Sequence, residues 1–169
     1  MRLKTALAKR STTEVLPADM IENSVISGYY YSGKLETEED KARIFNASAG
    51  ADCSLREYAN KTIALVNIYI EPVELTQKDE KGNPLYVTEN ELNVLGEDGE
   101  PIPKTSVCPR MILFDDKGKS YGCCSYGAYN AIRKLCNLYG TPDTWNHPVN
   151  ITPVIIPKGT KQILSIKLG

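Results

Sequence analysis

The densest apolar run of the chain lies between Thr62 and Glu71, where β-branched and aliphatic residues dominate and Pro72 closes the stretch; this pattern predicts a β-strand. Strict alternation puts Ala64, Val66, Ile68 and Ile70 on one apolar face and leaves Asn67 and Tyr69 on the other. Arg110 to Phe114 and Ser120 to Ser125 flank Asp115-Asp116-Lys117-Gly118-Lys119, a turn with glycine where a positive φ is needed, so they form a hairpin. Val149 to Ile156 and Lys161 to Leu168, separated by Pro157-Lys158-Gly159-Thr160, form a second one. Helical periodicity takes over twice. Thr37-Glu38-Glu39-Asp40 opens a helix that runs through Ser48, with Ala42, Ile44, Phe45 and Ala47 on its apolar side and Gly50 at its end. From Tyr126 to Tyr139, the residues Tyr129, Ile132, Leu135, Cys136 and Tyr139 recur at helical steps, and Gly140 stands at the stop. A short helical turn is expected at Ser54 to Ala59.

The resulting order is strand, hairpin, helix, hairpin. It is the connectivity of the OB-fold, a five-stranded Greek-key β-barrel whose strand 2–3 face and loops bind oligonucleotides or oligosaccharides. The expected class is therefore mainly β, an OB-type barrel with a helix between strands 3 and 4 and an additional N-terminal helix. Residues 1–35 are polar, lack sustained apolar periodicity and read as an arm with one short strand, which contains Gly28-Tyr29-Tyr30-Tyr31-Ser32-Gly33. Residues 36–169 read as a single domain. It is interrupted at 76–107 by an insertion rich in Gly, Pro and acids, with weak strand signals at Leu85 to Thr88 and Leu92 to Leu95. That insertion is expected to be long and mobile.

Composition narrows the function classes. With 169 residues, 41% hydrophobic and 24% charged, the chain suffices for one well-buried core. The longest uncharged apolar run falls within Thr62 to Ile70, far short of the roughly 20 residues a membrane helix needs. The opening MRLKTALAKR is followed by polar STTE rather than an apolar stretch, so no secretory signal and a cytoplasmic location are expected. Five cysteines, Cys53, Cys108, Cys123, Cys124 and Cys136, contain no C-x-x-C pair and read as reduced structural thiols. His147 is the single histidine, and no His/Cys cluster has the spacing zinc needs. No cofactor or metal is expected. An enzyme is not expected either: the sequence shows no phosphate-cradling glycine motif and no nucleophile with a spaced histidine partner. Asp115-Asp116 sits at a turn tip, where turn chemistry explains it.

The net charge of −1 argues against indiscriminate attraction to polyanions, but the charges are segregated. From Glu74 to Pro101 eight acids face two bases, whereas from Cys108 to Gly169 eight bases face three acids. Sequence-tolerant binding of single-stranded nucleic acid needs aromatic faces for bases and cations for phosphates. Ten tyrosines against two phenylalanines supply rings with polar edges that suit a wet groove. The candidate residues are Tyr69, opposite the apolar face of the first strand, Tyr121 beside Lys119, and Trp145 in a loop. The candidate cations are Arg110 at a strand start, Lys117 and Lys119 on the first hairpin, and Lys158 and Lys161 on the second.

In the segment from Lys41 to Leu168 the chain resembles the single-stranded DNA-binding proteins of phages and related mobile elements of Gram-positive bacteria. The resemblance rests on Lys41-Ala42-Arg43-Ile44-Phe45-Asn46-Ala47, Glu71-Pro72-Val73-Glu74-Leu75 and Phe114-Asp115-Asp116-Lys117-Gly118-Lys119-Ser120-Tyr121. It continues through Gly127-Ala128-Tyr129-Asn130, Tyr139-Gly140-Thr141-Pro142-Asp143-Thr144-Trp145 and Ile163-Leu164-Ser165-Ile166-Lys167-Leu168. It implies an OB-type fold, sequence-tolerant protection of exposed single strands during DNA replication or recombination in a bacterial host, and no cofactor. Single-stranded DNA is the expected partner, with replication or recombination proteins and further copies of the chain as additional ones. Two features depart from the family pattern: the insertion from Lys78 to Val107 and the segment Met1 to Leu35. The ending Lys167-Leu168-Gly169 differs from the acidic tail by which bacterial single-strand binders recruit replication enzymes. The alternative reading is an OB-like protein-interaction or structural phage module whose contact surface is the acidic insertion or Tyr29-Tyr30-Tyr31.

Overall fold

The computed structural model describes residues 15–169; the expectation for the first part of the arm lies outside these residues. The described helices are α1 (Pro17–Ser27), α2 (Glu38–Ala49) and α3 (Tyr126–Tyr139). The strands are β1 (Tyr30–Tyr31), β2 (Cys53–Ser54), β3 (Ile63–Thr76), β4 (Thr88–Glu89), β5 (Leu92–Asn93), β6 (Thr105–Asp115), β7 (Ser120–Cys123), β8 (Val149–Lys158) and β9 (Lys161–Leu168). The architecture is mainly β. One sheet runs β2-β7-β6-β3-β8-β9, with β1 added on β3, and it curls into a half-barrel.

Local signals set most of these limits. Thr37 caps α2 reciprocally: its hydroxyl accepts from the Asp40 amide at 3.0 Å, and the Asp40 carboxylate accepts from the Thr37 amide at 3.2 Å. These contacts hold the Asp40 carboxyl below its ordinary range. Ser125 caps α3 one way only, its hydroxyl accepting from the Ala128 amide at 3.2 Å. Both expected hairpins form antiparallel, β6 with β7 from Met111↔Cys123 to Phe114↔Ser120 and β8 with β9 from Ile151↔Leu168 to Lys158↔Lys161. They are joined through β3, which pairs antiparallel with β8 at Ile63↔Ile151 to Leu65↔Val149.

The chain divides into two compact units, one of residues up to 72 together with 109–169 and one of residues 73–108. The first unit holds two apolar clusters on opposite faces of the sheet, as the alternation along β6 shows. Met111 and Leu113 enter the larger cluster with Ile21, Leu55, Ile132 and Ile151, while Ile112 and Phe114 enter the smaller one with Ile44 and Ala47 of α2.

Three sequence expectations change here. First, β3 does not keep one apolar face: Ile63, Leu65, Ile68 and Ile70 are buried in the larger cluster, while Val66 and Tyr69 turn to the smaller. The three-residue step from Leu65 to Ile68 breaks the two-residue period. It occurs where Ser32 grips β3, its hydroxyl accepting from the Ile68 amide at 2.8 Å and its amide donating to the Ile68 carbonyl at 3.0 Å. Second, on α2 only Ile44 and Ala47 are buried, and Phe45 is 73% exposed. Third, the expected polar arm contains a helix as well as the short strand β1. Leu16 offers α1 no side-chain cap, so Asn137 of α3 supplies the acceptor, taking the Ala18 amide at 2.8 Å. Arg133 completes the clamp with 3.0 Å to Glu22 and 3.2 Å to the Ala18 carbonyl.

The second unit is built from nested turns rather than open loop. Lys78↔Pro84, the short sheet of β4 with β5, and Leu95↔Pro101 define three successive hairpins, and Tyr86↔Pro103 ties the first to the last. Gly82 and Gly99, with φ of 84° and 80°, close the outer two, where a side chain would strain the backbone. The hairpins of residues 78–103 are entered and left beside one contact, the Gln77 amide donating to the Lys104 carbonyl at 2.8 Å. Replacing Lys78–Pro103 by a two-residue Asn-Gly turn is therefore expected to change the melting temperature by only a few degrees, because loop closure depends weakly on length. Loss of a cooperative melting transition would show that the unit is required for the fold.

Candidate nucleic-acid interface

Leu55, fully buried, anchors the turn Leu55–Tyr58, and Asn60 follows with a left-handed φ of 67°. The Asn60 amide donates to the Pro153 carbonyl at 2.7 Å, which pins this loop to β8 just before β3 begins. Tyr58 and Lys61 are thereby held beside the β6–β7 hairpin, whose Asp116 amide donates to the Ala64 carbonyl at 3.1 Å. The Tyr58 ring meets Tyr121 edge-on at 4.7 Å and 72°. Two ammonium groups approach the same ring, Lys119 at 4.7 Å and Lys61 at 5.2 Å from its centroid. Such cation–ring contacts are attractive at this range. Lys119 also donates to the Tyr58 hydroxyl at 2.6 Å, the main reason its amine is held above its ordinary range. Lys119 is charged throughout the neutral range.

Asp115 makes the hairpin rigid. One carboxylate oxygen accepts the Lys117 and Lys119 amides at 2.9 Å each, and the other accepts the Tyr121 hydroxyl at 2.9 Å. Gly118 takes the positive φ, 82°, that the turn expectation required. Among the described residues, Lys61, Lys117, Lys119, Lys158 and Lys161 make no ion pair. Lys158 and Lys161 are exposed and stand directly opposite each other as the closing pair of the β8–β9 hairpin. Like charges in that position oppose folding.

The aromatic candidates are placed differently from expectation. Tyr121 is 3% exposed and part of the larger core; burial first, then its bond to Asp115, raises its hydroxyl well above the ordinary range. Tyr69 is 8% exposed, donates to Glu71 at 2.9 Å and is covered by Tyr29. Neither ring has a free face, because hydrogen-bonded partners let a tyrosine enter the interior. Trp145 is half-buried against the core, and its indole N–H donates to the Tyr139 and Gly140 carbonyls at 3.2 and 3.0 Å, satisfying the C-terminal end of α3. Arg110 is half-buried and lines a groove of about 560 Å³ with Asp52, Glu57 and Cys124. The structure thus gathers Lys119 and Tyr121, with Lys117 on the same hairpin, and pairs Lys158 with Lys161. Tyr69 and Arg110 belong to another part of the sheet, and Trp145 stands apart. Tyr58 and Lys61 were missed; the aromatic residue in the expected turn and the lysine three positions on were the available signal.

The remaining chemistry is quiet. Burial pushes the Cys136 thiol up to about 12 and raises Cys53 as well, which suppresses thiolate reactivity. Among the described residues no helix is long and apolar enough to cross a membrane. No protein-family model, curated protein or solved structure matches the chain significantly.

Proposed function

We propose that this chain is an OB-type single-stranded DNA-binding protein that covers exposed strands, without sequence preference, during phage or mobile-element replication or recombination. The observation that carries this reading is the junction at the start of β3, where Lys61 and Lys119 converge on Tyr58 beside a lysine-tipped hairpin. The strand order β7-β6-β3-β8-β9, with α3 between β7 and β8 in the chain, fits an OB-type barrel. The unpaired lysines supply phosphate contacts, and the half-buried Tyr58 among them offers a polar aromatic edge beside those cations. Duplex DNA offers only the phosphates.

Fluorescence anisotropy with labelled oligo(dT) tests the reading. Affinity is expected to fall with salt at a logarithmic slope of roughly −0.7 per phosphate contacted on a single strand, and Lys61→Gln or Lys119→Gln each removes about one such increment. Equal affinity for a duplex of the same length, or no binding at low salt, would overturn it in favour of a protein-interaction module.

A further inference from the structure

We propose that Tyr29 is a base-stacking platform: a nucleobase of single-stranded DNA lies on the outer face of its ring and extends the Tyr69–Tyr29 stack, its edge in the groove alongside. The inference rests on the single-strand-binding reading and assigns a site to the tyrosine run. Gly28 ends α1 with a φ of 151°, a conformation open to glycine, and alternation then sends Tyr30 into the larger core while Tyr31 joins the smaller. Tyr29 lies on Tyr69 at 5.8 Å and 27°, a stacked arrangement. Tyr69 stacks on one side of Tyr29, yet the residue is 50% exposed and lines a groove, so ring surface remains accessible. Its backing is fixed. Tyr69 is held by Glu71 at 2.9 Å and by Tyr31 at 6.3 Å between centroids, which presents the outer ring with little ordering left to do on binding.

The groove beside Tyr29 has a volume of about 780 Å³, and Met20, Asn23, Ser24 and Ser27 are among its lining residues. Sites for small organic ligands fall in this size range and combine apolar walls with a few polar groups. Asn23 and the two serines both donate and accept hydrogen bonds, so any base edge finds a partner and none is required. Burial first, then for Tyr69 its bond to Glu71, raises the Tyr69 and Tyr31 hydroxyls above their ordinary range, so both rings that back Tyr29 are neutral.

Tyr29→Ala is expected to weaken oligo(dT) binding by roughly 5- to 150-fold, the range for losing one stacked base, while Tyr29→Phe retains most of the affinity. Because stacking moves no counterions, the salt slope should be unchanged in Tyr29→Ala, unlike the lysine variants. Photocrosslinking to an oligonucleotide carrying 5-iododeoxyuridine should place the adduct on Tyr29. Wild-type binding that Tyr29→Ala leaves intact, with the adduct elsewhere, overturns the platform and keeps the function. Affinity lost in Tyr29→Ala and in Tyr29→Phe equally overturns it as well, since a π-face alone would have sufficed. Absence of oligo(dT) binding by the wild-type chain overturns both.

Discussion

Replacing Gly127 with alanine is expected to lower the melting temperature by roughly 2–12 °C, the span given by about 1–3 kcal/mol of overpacking in a chain of this size. Gly127 lies in the first turn of α3 where the helix crosses β9. A Cβ there would stand 2.4 Å from the Leu164 carbonyl oxygen and 2.7 Å from Ile163 Cγ2. The oxygen belongs to backbone and cannot rotate aside, so helix and strand would have to separate. Intrinsic propensity argues the other way, since alanine is favoured over glycine inside a helix by about 1 kcal/mol; the contact outweighs it. Gly122→Ala is the control. Its nearest neighbours would be Ala51 Cβ at 3.1 Å and Ile112 Cδ1 at 3.3 Å, side-chain atoms able to yield a few tenths of an ångström, so the loss should be smaller. A Gly127→Ala protein as stable as wild type would mean that α3 does not seat on β9 as described.

Tyr121→Ala should cost more, about 3–5 kcal/mol of unfolding free energy, as for other large aromatic truncations in a core. The ring is almost wholly buried, rests against Tyr58 and holds Asp115. Tyr121→Phe keeps the ring and loses one hydrogen bond, worth roughly 0.5–1.5 kcal/mol, while Asp115 retains its two amide donors. Urea titration of both variants separates packing from hydrogen bonding. Should Tyr121→Ala instead keep its stability and lose DNA affinity, Tyr121 would regain the role of base platform that its burial denies.

How far the sequence reached depends on the range of each signal. Thr37 with Asp40, Ser125 with Ala128, and Gly118 in the β6–β7 turn act within four residues, and α2, α3 and that hairpin were legible from them. Helix α1 was not, although Ala18, Ile21 and Val25 carry its buried face. Its cap comes from Asn137 and its clamp from Arg133, more than a hundred residues away. Alternation failed on β3 because Ser32, just after β1 and distant in sequence, holds the point where the period slips. At the candidate interface the hairpin lysines could be named from sequence, since turn tips are exposed by geometry. Tyr69 and Tyr121 could not be judged, since a tyrosine bonded to Glu71 or Asp115 in the interior and one facing water look alike in a string of letters.

The bonds from the Gln77 amide to the Lys104 carbonyl and from the Gln77 side chain to the Thr105 carbonyl make the hairpins of residues 78–103 a cassette with a narrow doorway. Heredity can enlarge, shrink or exchange such a cassette in a single event without re-threading the sheet, because both ends of the host strands stay where they are. Its seven acids and two lysines between Lys78 and Pro103 can therefore vary in sign and number independently of the two cores. A lineage can retune how strongly the molecule repels or attracts polyanions without altering a buried residue.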